Sequence, residues 1–277
     1  MKNILKEIFI FTIIFLYFIY IIKYNSYITE QTIYSVNIWL NKILPTLFPT
    51  FIIVDIIYNT NLPYYIEKYL HINFIYIISI LSGSPSNAYI LNKYNQNITK
   101  ILSVTKYTSP IFTYTFLKAI FNHKTAILII SLNILSNIIL KLIIKPKNIK
   151  YLIIKQETIY TTITNSIKKN INTLITILGT IIFFNTLPIH LIKNNLIKGT
   201  ILSILEITTS LNNLLTTTLP YNIKILLTII SLSTCGLCIE TQIKSIINDT
   251  FINYKEYLLY RLLHTIIFLI LGIIIIL

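Results

Sequence analysis

Chemistry in this chain has to come from few side chains, because 277 residues hold only nine Asp and Glu together. One acid, Glu206, sits in the apolar run Gly199-Thr-Ile-Leu-Ser-Ile-Leu-Glu-Ile-Thr-Thr-Ser-Leu-Asn-Asn-Leu-Leu. On a helix turning about 100° per residue, Ser203, Glu206, Ser210, Asn213 and Thr217 share one narrow face. Such a stripe either faces a bundle interior or aqueous path, or its hydroxyls bond their own helix while Glu206 reaches the interface. A second stretch, Ser82-Gly83-Ser84-Pro85-Ser86-Asn87-Ala88, interrupts the apolar run that begins at Phe74. Glycine and proline both break helices, and broken backbone at membrane depth survives only inside protein or beside water. The stretch therefore reads as a re-entrant turn, a discontinuous helix or a proline kink. Ser109-Pro110 is a second break of this kind, within a span near Ile101–Phe121 that also holds Thr105, Thr108 and Thr113.

The remaining candidates are isolated. Asp55 lies in a long apolar segment over residues 33–58, where a carboxylate costs about 2.5–3.5 kcal/mol, so it is paired, protonated, interfacial or facing a wet cavity. Asp55, Glu240 and Gln242 make a further polar candidate site, and the last two follow the pair Cys235 and Cys238. Cys-Gly-Leu-Cys has the spacing of a redox pair or half a zinc site, but zinc needs four ligands and no second pair exists. The cysteines read as small helix residues, and no metal or cofactor is expected. His264, one turn inside the last span, reads as hydrogen-bonded packing rather than a proton relay. No phosphate loop, His-Glu-x-x-His or Gly-x-Ser-x-Gly element is present, so an enzyme is not expected.

Composition sets the class of elements that must position these groups. Hydrophobic residues make up 55% and charged residues 12%, with mean hydropathy +0.73. A soluble domain carries about twice that share of charge, so the chain reads as a membrane protein in contact with lipid. The net charge of +14 comes from lysines between apolar runs, where they set topology and meet anionic lipid. No basic docking face is visible, which argues against nucleic acid. Ile, Asn, Lys and Tyr are used heavily, as AT-rich coding produces, and single occurrences of them carry little information.

The fold expected is all-α and polytopic, with about eight to nine hydrophobic segments. Residues 1–30 hold a first, uncleaved span; residues 31–144 form a first membrane half; residues 145–170 are a basic linker, cytoplasmic by the positive-inside bias; residues 171–277 form a second half. Thr125–Leu140 reads as a lipid-facing helix. The halves echo one another at an offset of roughly 125 residues: turn-interrupted apolar segments at Leu47–Ile57 and Leu174–Leu187, then breaks near Gly83 and Glu206, then breaks at Ser109-Pro110 and Cys235-Gly236. If the Gly83 segment enters and leaves on one side, the N-terminus lies inside.

Leu44-Pro45-Thr46-Leu47-Phe48-Pro49-Thr50-Phe51, Gly83-Ser84-Pro85-Ser86-Asn87-Ala88 and Ser109-Pro110-Ile111-Phe112 resemble the sporulation integral membrane proteins of endospore-forming bacteria. These are grouped with the nucleoside-recognition, or Gate-domain, membrane proteins. Leu205-Glu206-Ile207-Thr208, Gly236-Leu237-Cys238-Ile239-Glu240-Thr241-Gln242 and Arg261-Leu262-Leu263-His264 are similar to that family's C-terminal signatures. The resemblance covers residues 34–277 and implies a bacterial cell-membrane protein tied to spore formation. The expected role is to pass or gate a small polar or charged solute between the two halves, alone, as a homo-oligomer or with envelope proteins. The path would be lined by Gly83, Ser84, Pro85, Ser86, Asn87, Ser109, Pro110, Glu206, Thr209, Ser210 and Asn213. The alternative is a non-transporting structural component of the spore envelope.

Overall fold

The computed structural model describes residues 2–71, 73–92, 97–147, 158–247 and 249–276, and the middle of the basic linker, 148–157, lies outside them. The described residues are helical, with no strand among them. In chain order the helices are α1 (Lys2–Lys23), α2 (Asn25–Ile38), a π-helical turn (Trp39–Ile43), α3 (Leu44–Tyr58), α4 (Leu62–Leu70), α5 (Phe74–Ser82) and α6 (Ser86–Asn92). Next come α7 (Thr99–Thr105), α8 (Pro110–Ile120), α9 (His123–Ile144), α10 (Ile159–Asn185), α11 (Asn195–Leu205), α12 (Ile207–Thr216), α13 (Tyr221–Thr234), α14 (Gly236–Ile246) and α15 (Tyr254–Ile275).

Asparagine starts many of these helices, its side-chain oxygen accepting a first-turn amide that has no intrahelical partner. Asn73 caps α5, Asn122 caps α9, Asn194 caps α11 and Asn253 caps α15. Pro110 opens α8, where a missing N–H costs nothing.

Six stretches among the described residues are long and apolar enough to cross a bilayer: Ile4–Lys23, Asn25–Tyr58, His123–Ile144, Tyr160–Leu191, Tyr221–Ile246 and Tyr254–Ile275. The eight to nine hydrophobic segments expected, broken ones among them, are thus not all single membrane-crossing helices. The segments near residues 74–92, 99–120 and 195–216 are apolar but divided into short helices that cannot cross one by one. The turn expected within Leu174–Leu187 is absent up to Asn185, because α10 runs unbroken, and Lys168 and Lys169 belong to that helix rather than to a linker.

α1 presents its apolar side chains outward along its length, with Phe11 68% exposed, as a lipid-facing helix does. α9 also presents Ile127, Ile138, Leu142 and Ile143 outward, while its other face packs on α8 and α15 and buries Asn133, Ser136 and Asn137. Contacts join the two expected halves closely: α10 lies on α2 and α3, α15 on α9 and α7, and α12 on α8. The core they enclose includes Phe51, Ile78, Leu102, Ile129, Leu211 and Phe268.

Candidate functional site

Glu206 does not ride on a continuous helix, which corrects the stripe expected there. The chain leaves helical geometry at Glu206, with φ −150° and ψ 120°, so Ser203 ends up on α11 while Ser210 and Asn213 are on α12. The two helices fold back on one another. Lys198, near the start of α11, and Thr216, at the end of α12, line the same cavity. A straight helix would hold those residues about 27 Å apart at 1.5 Å per residue. Glu206 is therefore the turn between two antiparallel-packed helices, about 12 Å along the helix from Lys198.

The carboxylate at that tip is 2% exposed. Oε1 accepts from the Thr208 amide at 2.9 Å, and Oε2 from the Thr209 amide at 2.5 Å. Glu206 is thus the N-cap of α12, and the helix dipole favours its charge. It has no cation: the ion pairs among the described residues are Lys106–Glu240 and Lys169–Asp55. Thr209 Oγ1 lies 2.6 Å from Oε2 and also contacts Asn185 Oδ1. The Asn185 amide donates to Ser35 Oγ at 2.8 Å, so its oxygen depends on the threonine. One hydroxyl proton thus faces two acceptors. A proton added to Glu206 satisfies both: the carboxyl donates to Oγ1, and Oγ1 donates to Asn185.

The serine-rich bend reaches the same place. Gly83 has φ +67°, and a Cβ there would stand 2.5 Å from the Ser109 amide nitrogen. Only glycine lets the bend touch the break between α7 and α8. The Ser84 amide donates to Tyr107 O at 2.7 Å, and Asn87 Nδ2 to Thr105 O at 2.7 Å, so bend and break share their freed backbone groups. The Ser84–Pro85 peptide is cis. Gly236 plays the corresponding part for Glu206: a Cβ there would stand 2.8 Å from Leu205 O and 3.0 Å from Glu206 Cα.

Between these contacts lies an inner cavity walled by Ser84, Pro85, Ser109, Glu206, Thr208 and Gln242, among others, with about 40 Å³ of room for water. That volume admits one or a few waters. Ser109 Oγ and Gln242 Oε1 are buried without a hydrogen-bond partner among the described residues. A wider vestibule of about 360 Å³ lies among α2, the end of α10, α11 and α12. Thr209 and Asn185 are part of its wall, so a layer one side chain thick separates it from Glu206.

The expected residues thus divide. Ser84, Pro85, Ser109, Glu206 and Gln242 meet at the inner cavity, and Thr209 and Asn213 line the vestibule. Gly83 and Asn87 shape the bend, Ser86 starts α6 and Pro110 starts α8. Ser210 lines neither cavity and bonds Ser231 Oγ at 2.6 Å. Asp55 is 3% exposed and far from unpaired: Lys169 Nζ is 2.6 Å and Asn170 Nδ2 2.9 Å from its oxygens, tying α3 to α10. Glu240 pairs with Lys106, whose Nζ also donates to Thr234 O at 2.6 Å. Both cysteines are free thiols, and Cys238 is part of the inner wall.

Lys106 and Arg261 were missed as interior groups. Lys106 is 1% exposed although it sits mid-span, three residues before Ser109, and a lysine at that depth is itself a signal. Arg261, in the last span, is 5% exposed. Its guanidinium donates to Ser103 O at 2.8 Å and Ser233 O at 2.6 Å, near the carbonyl ends of α7 and α13. It also meets Asn137 and His264, and His264 Nε2 lies 2.8 Å from Ser136 Oγ. The two cations thus hold the carbonyl ends of α7 and α13, while the starts of α8 and α12, with Glu206, line the inner cavity. No protein-family model matches the chain, and no curated protein or solved structure matches it either.

Proposed function

We propose that this membrane protein passes a small polar or charged solute through the seam between its two re-entrant bends, with Glu206 carrying a proton or cation as the solute moves. The observation that carries this reading is a buried carboxylate with no cationic partner among the described residues, one hydroxyl away from a vestibule. Ionisable groups at such depth are costly and mark ion and proton pathways. The contested Thr209 proton gives the group a reason to bind another. Broken helices that end at a shared interior site are the usual means of ion and solute binding in transporters built from repeated halves. Two halves of that kind, with the basic linker cytoplasmic, fit the motif order and the lysines at 141–147. The same motif order supports a place among sporulation-type, Gate-domain membrane proteins.

The test is flux in proteoliposomes. Glu206→Gln keeps the shape and removes the titrating charge, so it abolishes uptake of a panel of small polar solutes while membrane insertion is unchanged. Uptake equal to the parent rejects the role of Glu206. A second reading, a non-transporting component of the spore envelope, is favoured by the small volume of the inner cavity, which no solute larger than water fits. Absence of flux from the parent protein, together with stable copurifying envelope proteins, supports that reading.

A further inference from the structure

The vestibule carries charge that the protein does not use. Glu30 on α2 and Lys198 on α11 both line it, and neither belongs to an ion pair among the described residues. Gln31 and Asn213 share the wall, and their carboxamides make no hydrogen bond with another described side chain or backbone group. A cavity of about 360 Å³ lies within the range of small-molecule sites. One acid and one base on different helices, both uncommitted, set a particular selectivity. A simple cation entering this cavity meets Lys198 as well as Glu30, and a simple anion meets Glu30 as well as Lys198. A molecule with an ammonium and a carboxylate satisfies both at once, and the carboxamides offer donors and acceptors to the rest of it.

We infer that the vestibule is a binding site for a small zwitterion of the amino-acid type, its ammonium toward Glu30 and its carboxylate toward Lys198. This deepens the path reading by naming what enters, yet it is tested by binding rather than flux. The full chain in detergent is unfolded thermally with an equimolar mixture of L-amino acids, and in parallel with ethylammonium, propionate or erythritol. The mixture raises the midpoint and the three comparison solutes do not. Glu30→Gln and Lys198→Gln each weaken binding about tenfold or more, as loss of one charge-assisted contact does. The charge-swapped pair Glu30→Lys with Lys198→Glu regains the shift, which a purely structural role does not produce. No shift with the mixture, an equal shift with erythritol or a singly charged ion, or a shift indifferent to both single substitutions overturns the site. A shift retained in Glu206→Gln, with flux absent from the parent protein, leaves the site standing and removes the path.

Discussion

At the first bend the glycine belongs to the bend, Gly83, and presses on the break between α7 and α8; at the second it belongs to the opposing break, Gly236, and presses on the bend at Glu206. Either partner can supply the missing Cβ, because what close approach demands is one bare α-carbon per contact. The charges differ more. The first break holds a cation, Lys106, which is neutralised by Glu240 on α14 of the second. The second bend holds an anion, Glu206, capped by amides and answered by no cation among the described residues. One seam position is thus locked by an ion pair, while the other keeps a carboxylate held only by amides and a hydroxyl.

The sharpest way to break this comparison is to remove the lock. Lys106→Met strands Glu240 and costs about 3–5 kcal/mol in unfolding measurements in micelles, as truncated buried ion pairs do. Adding Glu240→Gln recovers most of the loss; if the double variant is no more stable than the single, the two breaks are not joined in this way. The steric part comes next. Gly83→Ala and Gly236→Ala each cost about 2–4 kcal/mol, from the left-handed backbone and the overlap together. Gly83→Ala is the worse of the two, since its Cβ would meet a backbone nitrogen at 2.5 Å rather than an oxygen at 2.8 Å. Equal stability to the parent at either position removes the close contact there.

Glu206 separates charge from capping. Glu206→Ala exposes the first-turn amides of α12 and costs about 1–2 kcal/mol, whereas Glu206→Gln keeps an acceptor and stays within about 1 kcal/mol. If Gln is as damaging as Ala, the charge is holding the fold rather than serving passage. A small effect is expected away from the seam as well. Asp55→Asn costs about 1 kcal/mol, because the Lys169 side chain is 28% exposed and water can take over its charge.

Much of this was readable in the residues alone. Low charge and long apolar runs require a bundle of membrane helices, since lipid offers backbone groups no partner but each other. Gly83, Pro85 and Pro110 announce breaks because their backbones cannot continue a helix with its full set of bonds. Asparagine was discounted as coding bias, yet Asn73, Asn122, Asn194 and Asn253 each sit where a helix needs an acceptor. Periodicity misplaced Glu206, because a polar stripe looks the same whether the helix runs through it or turns back at it. Which groups are partnered was decided by tertiary packing only. Asp55 finds Lys169, Lys106 finds Glu240, and Arg261 finds carbonyls of α7 and α13 across 114, 134 and up to 158 residues of chain. No local rule of spacing reports on contacts of that separation, and they are what leave Glu206 the unpaired acid at the seam.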